Sequence, residues 1–519
     1  MLLLVLTLAV AILCVVYIRS NDAKLDRLPP EALAISPKRW TTEDINTCHA
    51  SLKDGPSSLF EGKLPPKTGR RYIVIGGAGF LGGWVVLHLV QRGEDPRRIR
   101  VLDVRLPTRT DLQKDKARDV DFLKVDITDR KAVNDAFDKP WPNIDTESSG
   151  PEPEVTVFHT AATIRFYERH SDLLHLSERV NVHGTQNVLD AARRIGVRTF
   201  VYTSSGSVAV RRSRFWLWPW ETAPAYFTQV IDDDDRRLPT RHDEFFSNYA
   251  ESKLTAERRV RAADRSQSGD GVMRTGCLRP GNGIYGPGGD LLVGAYLIKK
   301  WNPSWVGNIM QSFIFVENCS YAHLLYEQRL MELERGVAGV SPEIGGSAFC
   351  VADAGVPPTF GDIHQALKVL SNGETKFPHF SITAMLGLAH LVEIYYLIRH
   401  FLLGSPYSFL GRLMPRLLGE VVFLQPSMFA LTQVHLYFDD SRARAPPEKG
   451  GLGYDGFCTS IQGVCQVVVD HYRTGGKGTV RIVAEHVDAN QSPVTGAEYA
   501  VGAMANKIAD GLDATKTLN

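Results

Sequence analysis

A tyrosine and a lysine four residues apart, Tyr249 and Lys253, offer this sequence its clearest chemistry. On a helix that spacing puts both side chains on one face. A free phenol, with a pKa of about 10, is a poor base at neutral pH. An ammonium ~4 Å away contributes roughly 4 kcal/mol at an effective dielectric near 20, enough to lower that pKa by up to about three units. Tyr249 could then take a proton from an alcohol while a hydride leaves for an acceptor. Ser204, Ser205 and Ser207 lie upstream, and a serine hydroxyl would hold the alcohol oxygen. Taken alone, the pair also fits an ordinary surface helix, because the spacing arises often by chance.

The elements that would position this pair begin at Tyr72–Ile75, a β-rich run that ends in Gly76-Gly-Ala-Gly79-Phe80-Leu81-Gly82. Apolar residues at helical spacing follow, so the segment reads as strand, glycine turn and helix. Gly76 permits the tight turn, Gly79 lets the backbone approach a pyrophosphate, and Gly82 allows close helix–strand packing. The phosphates would lie at the helix amino end, over Phe80 and Leu81. A second strand ends in Asp103, 21 residues after Gly82, placed to accept hydrogen bonds from ribose hydroxyls. The strand 120–125 leads to Asp126 and Ile127, where an adenine edge would lie. The strand 155–162 closes on small residues, including Ala161, over which a cofactor can pass. A helix over 181–195 and a strand over 198–203 continue the alternation, which gives a parallel, doubly wound α/β sheet.

Together these patterns resemble the extended short-chain dehydrogenase/reductase family: the glycine triplet, Tyr249-x-x-x-Lys253 and the serine-bearing strand. Asn181-Val-His-Gly184-Thr185-Gln-Asn187 is similar to the family's NxxGTxN helix, and Leu278-Arg279-Pro280 through Tyr285-Gly-Pro-Gly288 to its loop beside the nicotinamide. Phe313 to His323 and Phe349 to Asp353 look like motifs of the 3β-hydroxysteroid dehydrogenase branch. The resemblance implies a Rossmann-type fold with a smaller carboxy-terminal substrate domain. By motif position it implies Ser205, with Ser204 its close competitor, Tyr249 and Lys253 as the catalytic set. Gly76, Gly79, Phe80, Leu81, Gly82, Asp103, Asp126, Ile127, Ala161, Tyr249, Lys253 and Pro280 would hold NAD. NADP is the less favoured cofactor, with Arg105 keeping it open. No metal is expected. The implied reaction is oxidation of a 3β-hydroxyl on a sterol or related terpenoid, with a 4α-carboxysterol and decarboxylation as one version. A steroid dehydrogenase/isomerase, another reductase or epimerase, and a non-catalytic nucleotide-binding scaffold are the alternatives.

The chain has 519 residues, 44% hydrophobic and 23% charged, with a net charge of +1. That composition excludes global disorder and offers no basic footprint for nucleic acid. Seven scattered cysteines without a CxxC pair suit free thiols in a reducing compartment. Residues 2–18 are apolar apart from Thr7, which reads as an uncleaved transmembrane anchor rather than a signal peptide. Arg19, Lys24, Arg27, Lys38 and Arg39 follow it and place the body in the cytosol, at an endoplasmic reticulum membrane. The expected organisation is an anchor at 1–19, a linker at 20–69 with one short helix, a cofactor-binding domain at 70–290, a substrate-binding region at 291–474 and a mobile tail at 475–519. Two stretches depart from the family pattern. The segment 206–248 carries Trp216, Trp218 and Trp220 and then Asp232–Asp235, and reads either as a solvated insertion or as tryptophans at a membrane interface. The apolar run 382–403 contains Glu393, which disfavours a span and leaves an interfacial or core-covering helix. Candidate partners are a lipophilic substrate, the membrane, a second copy of the chain and other sterol-pathway enzymes. Asn318 and Asn490 stand in glycosylation sequons that would report on orientation.

Asp103 should repel the 2′-phosphate of NADP. The expected kcat/KM ratio favours NAD by roughly tenfold or more, ~1.4 kcal/mol of discrimination. Steady-state kinetics with both cofactors checks it, and a preference for NADP would mean that Arg105 outweighs the carboxylate.

Overall fold

The computed structural model describes residues 1–52, 60, 62–142, 152–335 and 342–476. Its centre is a parallel sheet of seven strands: β1 (Arg71–Ile75), β2 (Ile99–Asp103), β3 (Asp121–Lys124), β4 (Val155–His159), β5 (Thr199–Thr203), β6 (Gly271–Pro280) and β7 (Ala348–Val351). The spatial order is 7-6-5-4-1-2-3, with a short antiparallel strand, Ser266–Ser268, added beside β6. The order reverses between β1 and β4, and a doubly wound sheet opens its ligand crevice at the carboxyl ends of such a pair. The register Ile75↔His159 and Ile75↔Leu102 brings the glycine turn after β1 between the ends of β2 and β4.

Seven helices organise the rest of the argument: α1 (Leu2–Leu25), α2 (Phe80–Gln91), α3 (Thr185–Ile195), α4 (Asn248–Ala262), α5 (Val316–Glu334), α6 (Ile382–Leu403) and α7 (Ser460–Arg473). One face of the sheet buries Tyr72, Val74, Val101, Phe158, Val201, Leu278 and Phe349 under α2, α5 and the carboxy-terminal helices. The other buries Ile73, Ile75, Val157, Phe200 and Tyr202 under α3 and α4. This is the doubly wound α/β architecture expected from the strand–helix alternation.

Asp353, just past β7, ties the carboxy-terminal region to the sheet. Its Oδ1 accepts from the Phe315 backbone N–H at 2.6 Å and from Asn318 Nδ2 at 2.8 Å. Its Oδ2 accepts from Tyr285 Oη at 2.8 Å and from Ser460 Oγ, the first residue of α7, at 2.9 Å. Burial pushes this carboxyl up to about 6 against the opposing pull of those four donors. Asn318 is therefore enclosed and also donates to the Cys458 carbonyl, so the absence of glycan there would say nothing about orientation. Asn490, and the expected tail from residue 477 onward, lie outside the described residues.

Three stretches differ from the sequence expectation, each for a packing reason. α1 continues past residue 19, because Asn21 and Leu25 are buried against the body. Asn21 Nδ2 donates to the Phe215 carbonyl at 3.0 Å and to Thr383 Oγ1 at 2.9 Å, and Asp22 Oδ1 accepts from the Thr383 N–H. The expected linker holds two short helices, Pro30–Ile35 and Thr42–Ser51, packed through Ala32 and Ile45. The segment 206–248 is docked rather than solvated. Its Thr228–Ile231 pairs in parallel with His435–Phe438, Asp233 Oδ1 accepts from the Cys350 N–H, and Asp235 pairs with Arg261 and Arg279. Lys24 of α1 donates to the carbonyls of Trp218 and Pro219, while Trp218 and Trp220 stack with ring centroids 5.3 Å apart.

α6 has two faces. Ile382, Leu386, Ala389 and Glu393 point into the body, and Glu393 accepts from Arg169 Nε and Nη2 at 2.6 Å each. Leu388, Leu391, Ile394, Ile398 and Phe401 are exposed on the other side. The ion pair binds one face of α6 to the body of the protein.

Replacing Asp353 by asparagine puts an amide N–H₂ in front of two donors. The expected loss is roughly 2–4 kcal/mol, read as a lower melting temperature of the full chain in detergent.

Candidate active site

α4 carries the tyrosine–lysine pair. Ser247 caps it by accepting from the Ala250 N–H, and Asn248 ties its first turn to the loop after β4, donating from its backbone to the Glu168 carbonyl and from Nδ2 to the His170 carbonyl. Tyr249 is half-buried in that first turn, its ring packed beside the cluster that contains Val208, Phe246 and Phe438. Lys253, one turn on, is 2% exposed. Its Nζ donates to the Thr203 carbonyl at 2.6 Å and lies 4.1 Å from the centroid of the Tyr202 ring. Burial pushes this ammonium down to about 7. The enclosed side chain therefore changes charge near neutral pH rather than near the ordinary lysine value. The associated stability penalty is absent above the unfolded lysine value, grows as the pH falls, and is complete below about 7.

The strand ends are held from behind. Thr203 Oγ1 pairs with His323 Nε2 at 2.7 Å, and His323 Nδ1 donates to the Cys319 carbonyl, so in the neutral ring Nε2 is the acceptor. Burial keeps it so, lowering its pKa to about 4. His159, at the end of β4, is likewise driven down to about 3 by burial and by Lys253.

The two competing serines separate clearly. Ser204 Oγ donates to Glu257 Oε2 at 2.6 Å and is buried in a polar cluster. In that cluster Arg279 donates to Glu257 from Nε at 3.0 Å and from Nη2 at 2.6 Å, with both side chains fully enclosed. Ser205 is half-exposed and its Oγ pairs with Ser207 Oγ at 2.7 Å. It caps the turn Gly206–Ala209, which packs on α4.

The glycine turn is close-packed. Gly76 has φ +81°, and a Cβ there would lie 2.7 Å from Ala161 N; a Cβ at Gly82 would lie 2.2 Å from the Gly76 carbonyl. The turn delivers the amino end of α2 with Gly79 as its N-cap and no side chain capping it. Bare N–H groups at a helix amino end suit a pyrophosphate. Asp103 Oδ2 accepts from the Ala78 N–H at 3.1 Å, which brings the acid to the same turn, and burial raises its pKa. Ile127 is buried against Gly184, while Asn187 Nδ2 donates to its carbonyl at 2.9 Å. Asp126 Oδ1 accepts from the Thr128 N–H, and Pro280 ends β6 beside the serine turn. Phe80 is half-buried and the Leu81 side chain belongs to the core, so Leu81 can offer a ligand only its backbone. This bare, acid-flanked turn fits a nicotinamide dinucleotide.

Several positioning residues escape a reading by motif role. Asn181 accepts from the Thr163 N–H at 2.9 Å and donates from Nδ2 to Ser252 Oγ at 3.0 Å, linking the loop after β4 to α4. It stands in an i→i+5 turn over Arg179–Gly184, a local widening frequent at functional sites. Arg109 donates to the Phe80 carbonyl at 3.0 Å and pairs with Asp111, lying over the first turn of α2. No sequence signal marked Arg109 or assigned a role to Glu257, four residues past Lys253; Asn181 stood inside a motif without a role.

Residues 73–368 match the 3-beta hydroxysteroid dehydrogenase/isomerase family. An Arabidopsis thaliana 3beta-hydroxysteroid-dehydrogenase/decarboxylase, isoform 2, is 28% identical over 403 residues, 75% of this chain and 59% of that one. A decarboxylating sterol-4-alpha-carboxylate 3-dehydrogenase of Candida albicans is 30% identical over 272 residues, 50% of this chain and 65% of that one. The chain thus spans about six tenths of the length of these two relatives. A UDP-glucose 4-epimerase of Thermotoga maritima, solved with UDP-glucose, aligns at 16% identity and a TM-score of 0.49 over 78% of this chain and 99% of that one.

The serines give opposite expectations. Ser204→Ala should lower the stability by about 1.5–3 kcal/mol for a hydrogen bond to a charged partner, read as a lower melting temperature, and leave turnover nearly intact. Ser205→Ala should leave the melting temperature unchanged and cut kcat by roughly tenfold or more. Thermal denaturation and steady-state kinetics on both variants decide between them.

Proposed function

The chain belongs to the 3-beta hydroxysteroid dehydrogenase/isomerase family, and from that premise we propose that it oxidises a 3β-hydroxyl on a sterol or related terpenoid with NAD. The single observation that carries this reading is the placement of Tyr249 on the turn of α4 above the enclosed Lys253, whose Nζ rests on the end of β5. The bound nicotinamide supplies the hydride acceptor. Ser205 holds the substrate oxygen by hydrogen bonding. Tyr249, as phenolate, takes the hydroxyl proton while the C3–H electron pair departs as hydride, leaving a ketone. Lys253 favours the phenolate in its charged form and holds the cofactor ribose. Asp103 accepts from the adenosine ribose hydroxyls, and the amino end of α2 faces the pyrophosphate.

The decarboxylating version is supported by two relatives whose names include that step. When the substrate carries a 4α-carboxylate, oxidation at C3 makes a β-keto acid. Its C4–carboxyl bond then breaks, CO₂ leaves, and the electrons pass into an enolate that is protonated at C4. This needs no catalytic group beyond those already named.

We place the body on the cytosolic side of a sterol-synthesising membrane, by the five basic residues that follow the apolar part of α1. The exposed face of α6 and the stacked Trp218 and Trp220 lie around the foot of α1. A nearly insoluble substrate can therefore reach the enzyme from the bilayer without passing through water.

Full-length protein in detergent, given NAD and a panel of 3β-hydroxysterols with and without a 4α-carboxylate, should produce NADH. CO₂ should appear only with the carboxylated members. Tyr249→Phe should lower kcat by at least ~10²-fold while NAD affinity stays the same. Full turnover in that variant would exclude Tyr249 as the base, and silence across the whole panel would exclude the substrate class.

A further inference from the structure

Beside the foot of α1, between residues 212–216 and α6, lies a cavity of about 270 Å³. Phe215, Trp216 and Leu386 make its apolar wall, and Arg169, Arg212 and Arg214 line it as well. Two of these cations are neutralised within the protein. Arg169 holds Glu393 in a two-pronged pair, and Arg214 bonds Glu221 and the Trp216 carbonyl. Arg212 is different. Its backbone N–H donates to the Glu244 carbonyl at 3.1 Å, and its guanidinium makes no ion pair or hydrogen bond among the described residues. The carboxylates it feels, Glu393 and Asp243, are already paired with Arg169 and Arg241. In the same wall, Ser427 Oγ is buried and has no hydrogen-bond partner among the described residues. A buried hydroxyl left unpaired costs about 1–3 kcal/mol, so the cavity offers an unneutralised cation and an unsatisfied hydroxyl beside apolar surface.

Its location specifies the occupant. Trp216 stacks on Tyr17 of α1 at 6.4 Å and packs on His390 of α6 at 6.0 Å. Tyr17 donates to the Leu217 carbonyl, which fixes the depth at which α1 leaves the body. Residues 2–16 above it are exposed and apolar apart from Thr7, so a bilayer holding them brings Tyr17 and Trp216 to the headgroup level, where such rings are favoured. The cavity then opens among lipid phosphates, with the apolar outer face of α6 beside it.

We propose that this cavity binds the headgroup of an anionic phospholipid, Arg212 pairing with its phosphate, Ser427 donating a hydrogen bond and the apolar wall receiving the first carbons of an acyl chain. The site is separate from the serine, tyrosine and lysine above, and its occupation would set the tilt of the body on the membrane.

The test is calorimetric titration of the full chain in a maltoside detergent with dihexanoyl phosphatidylserine, dihexanoyl phosphatidylcholine and inorganic phosphate. The serine lipid should bind saturably, at least tenfold tighter than the choline lipid or inorganic phosphate. Arg212→Gln removes the charge from a side chain that makes no internal bond. It should weaken serine-lipid binding about tenfold at an unchanged melting temperature. Undiminished binding by Arg212→Gln overturns the assignment, as does equal affinity for inorganic phosphate, which would leave a plain anion site. A raised KM for a carboxylated sterol in Arg212→Gln would give the cavity to the substrate's carboxylate and overturn it too. The binding readout needs no turnover, so it stands apart from the reaction proposed above.

Discussion

Enclosing a lysine ammonium carries a penalty of several kilocalories per mole unless the surroundings compensate it, and the site is arranged around that constraint. Lys253 has the Thr203 carbonyl and the face of Tyr202 as its near partners. A carbonyl in that position requires β5 to end where it does, with His323 fixing Thr203 from behind. It also requires α4 to lie close enough for the lysine stem to reach. The result is a group whose charge is held near its point of balance, beside a half-exposed phenol. A solvated lysine in the same register would stay charged throughout the physiological range and would not couple to its surroundings in this way.

The position of α4 is set by a second buried interaction. Glu257, one turn past Lys253, takes a two-pronged contact from Arg279 of β6 and a hydrogen bond from Ser204 after β5. Removing either charge would leave the other enclosed and unpaired, the costly outcome for a buried pair. Asp235 bridges Arg279 and Arg261, so the long segment between the serine turn and α4 is part of the same network. The Asn181 side chain completes the brace from the β4 side. One helix is thus held from β4, β5 and β6, and the proposed base inherits that rigidity.

The apolar surface around α1 and α6 follows a different logic. α6 uses one face to bind the body, through Glu393 and Arg169, and leaves the other face apolar and exposed. Water penalises such a face and a bilayer surface rewards it. α1 is bracketed at its foot by Asn21, Asp22 and Lys24, so it projects from the body in a defined direction. α1, the tryptophans and α6 therefore form one surface, although they come from three distant parts of the chain.

Much of this was legible in the residues themselves. Strand–helix alternation, the glycine turn and the Tyr249–Lys253 spacing are local patterns, and local sterics and helix periodicity determine them whatever the rest of the chain does. The doubly wound sheet and the grouping of Gly76, Gly82, Asp103 and Ala161 follow from those patterns. The choice between Ser204 and Ser205 did not, because it depends on where Glu257 points, and that is settled by Arg279 on another strand. The docking of residues 206–248 was hidden for a similar reason: Trp216 and Asp235 read as polar or interfacial until Tyr17 and Arg279 arrive beside them. The charge state of Lys253 was the least legible feature. Spacing places an ammonium near a phenol, but only the packed interior removes the water that would have held its pKa at the ordinary lysine value.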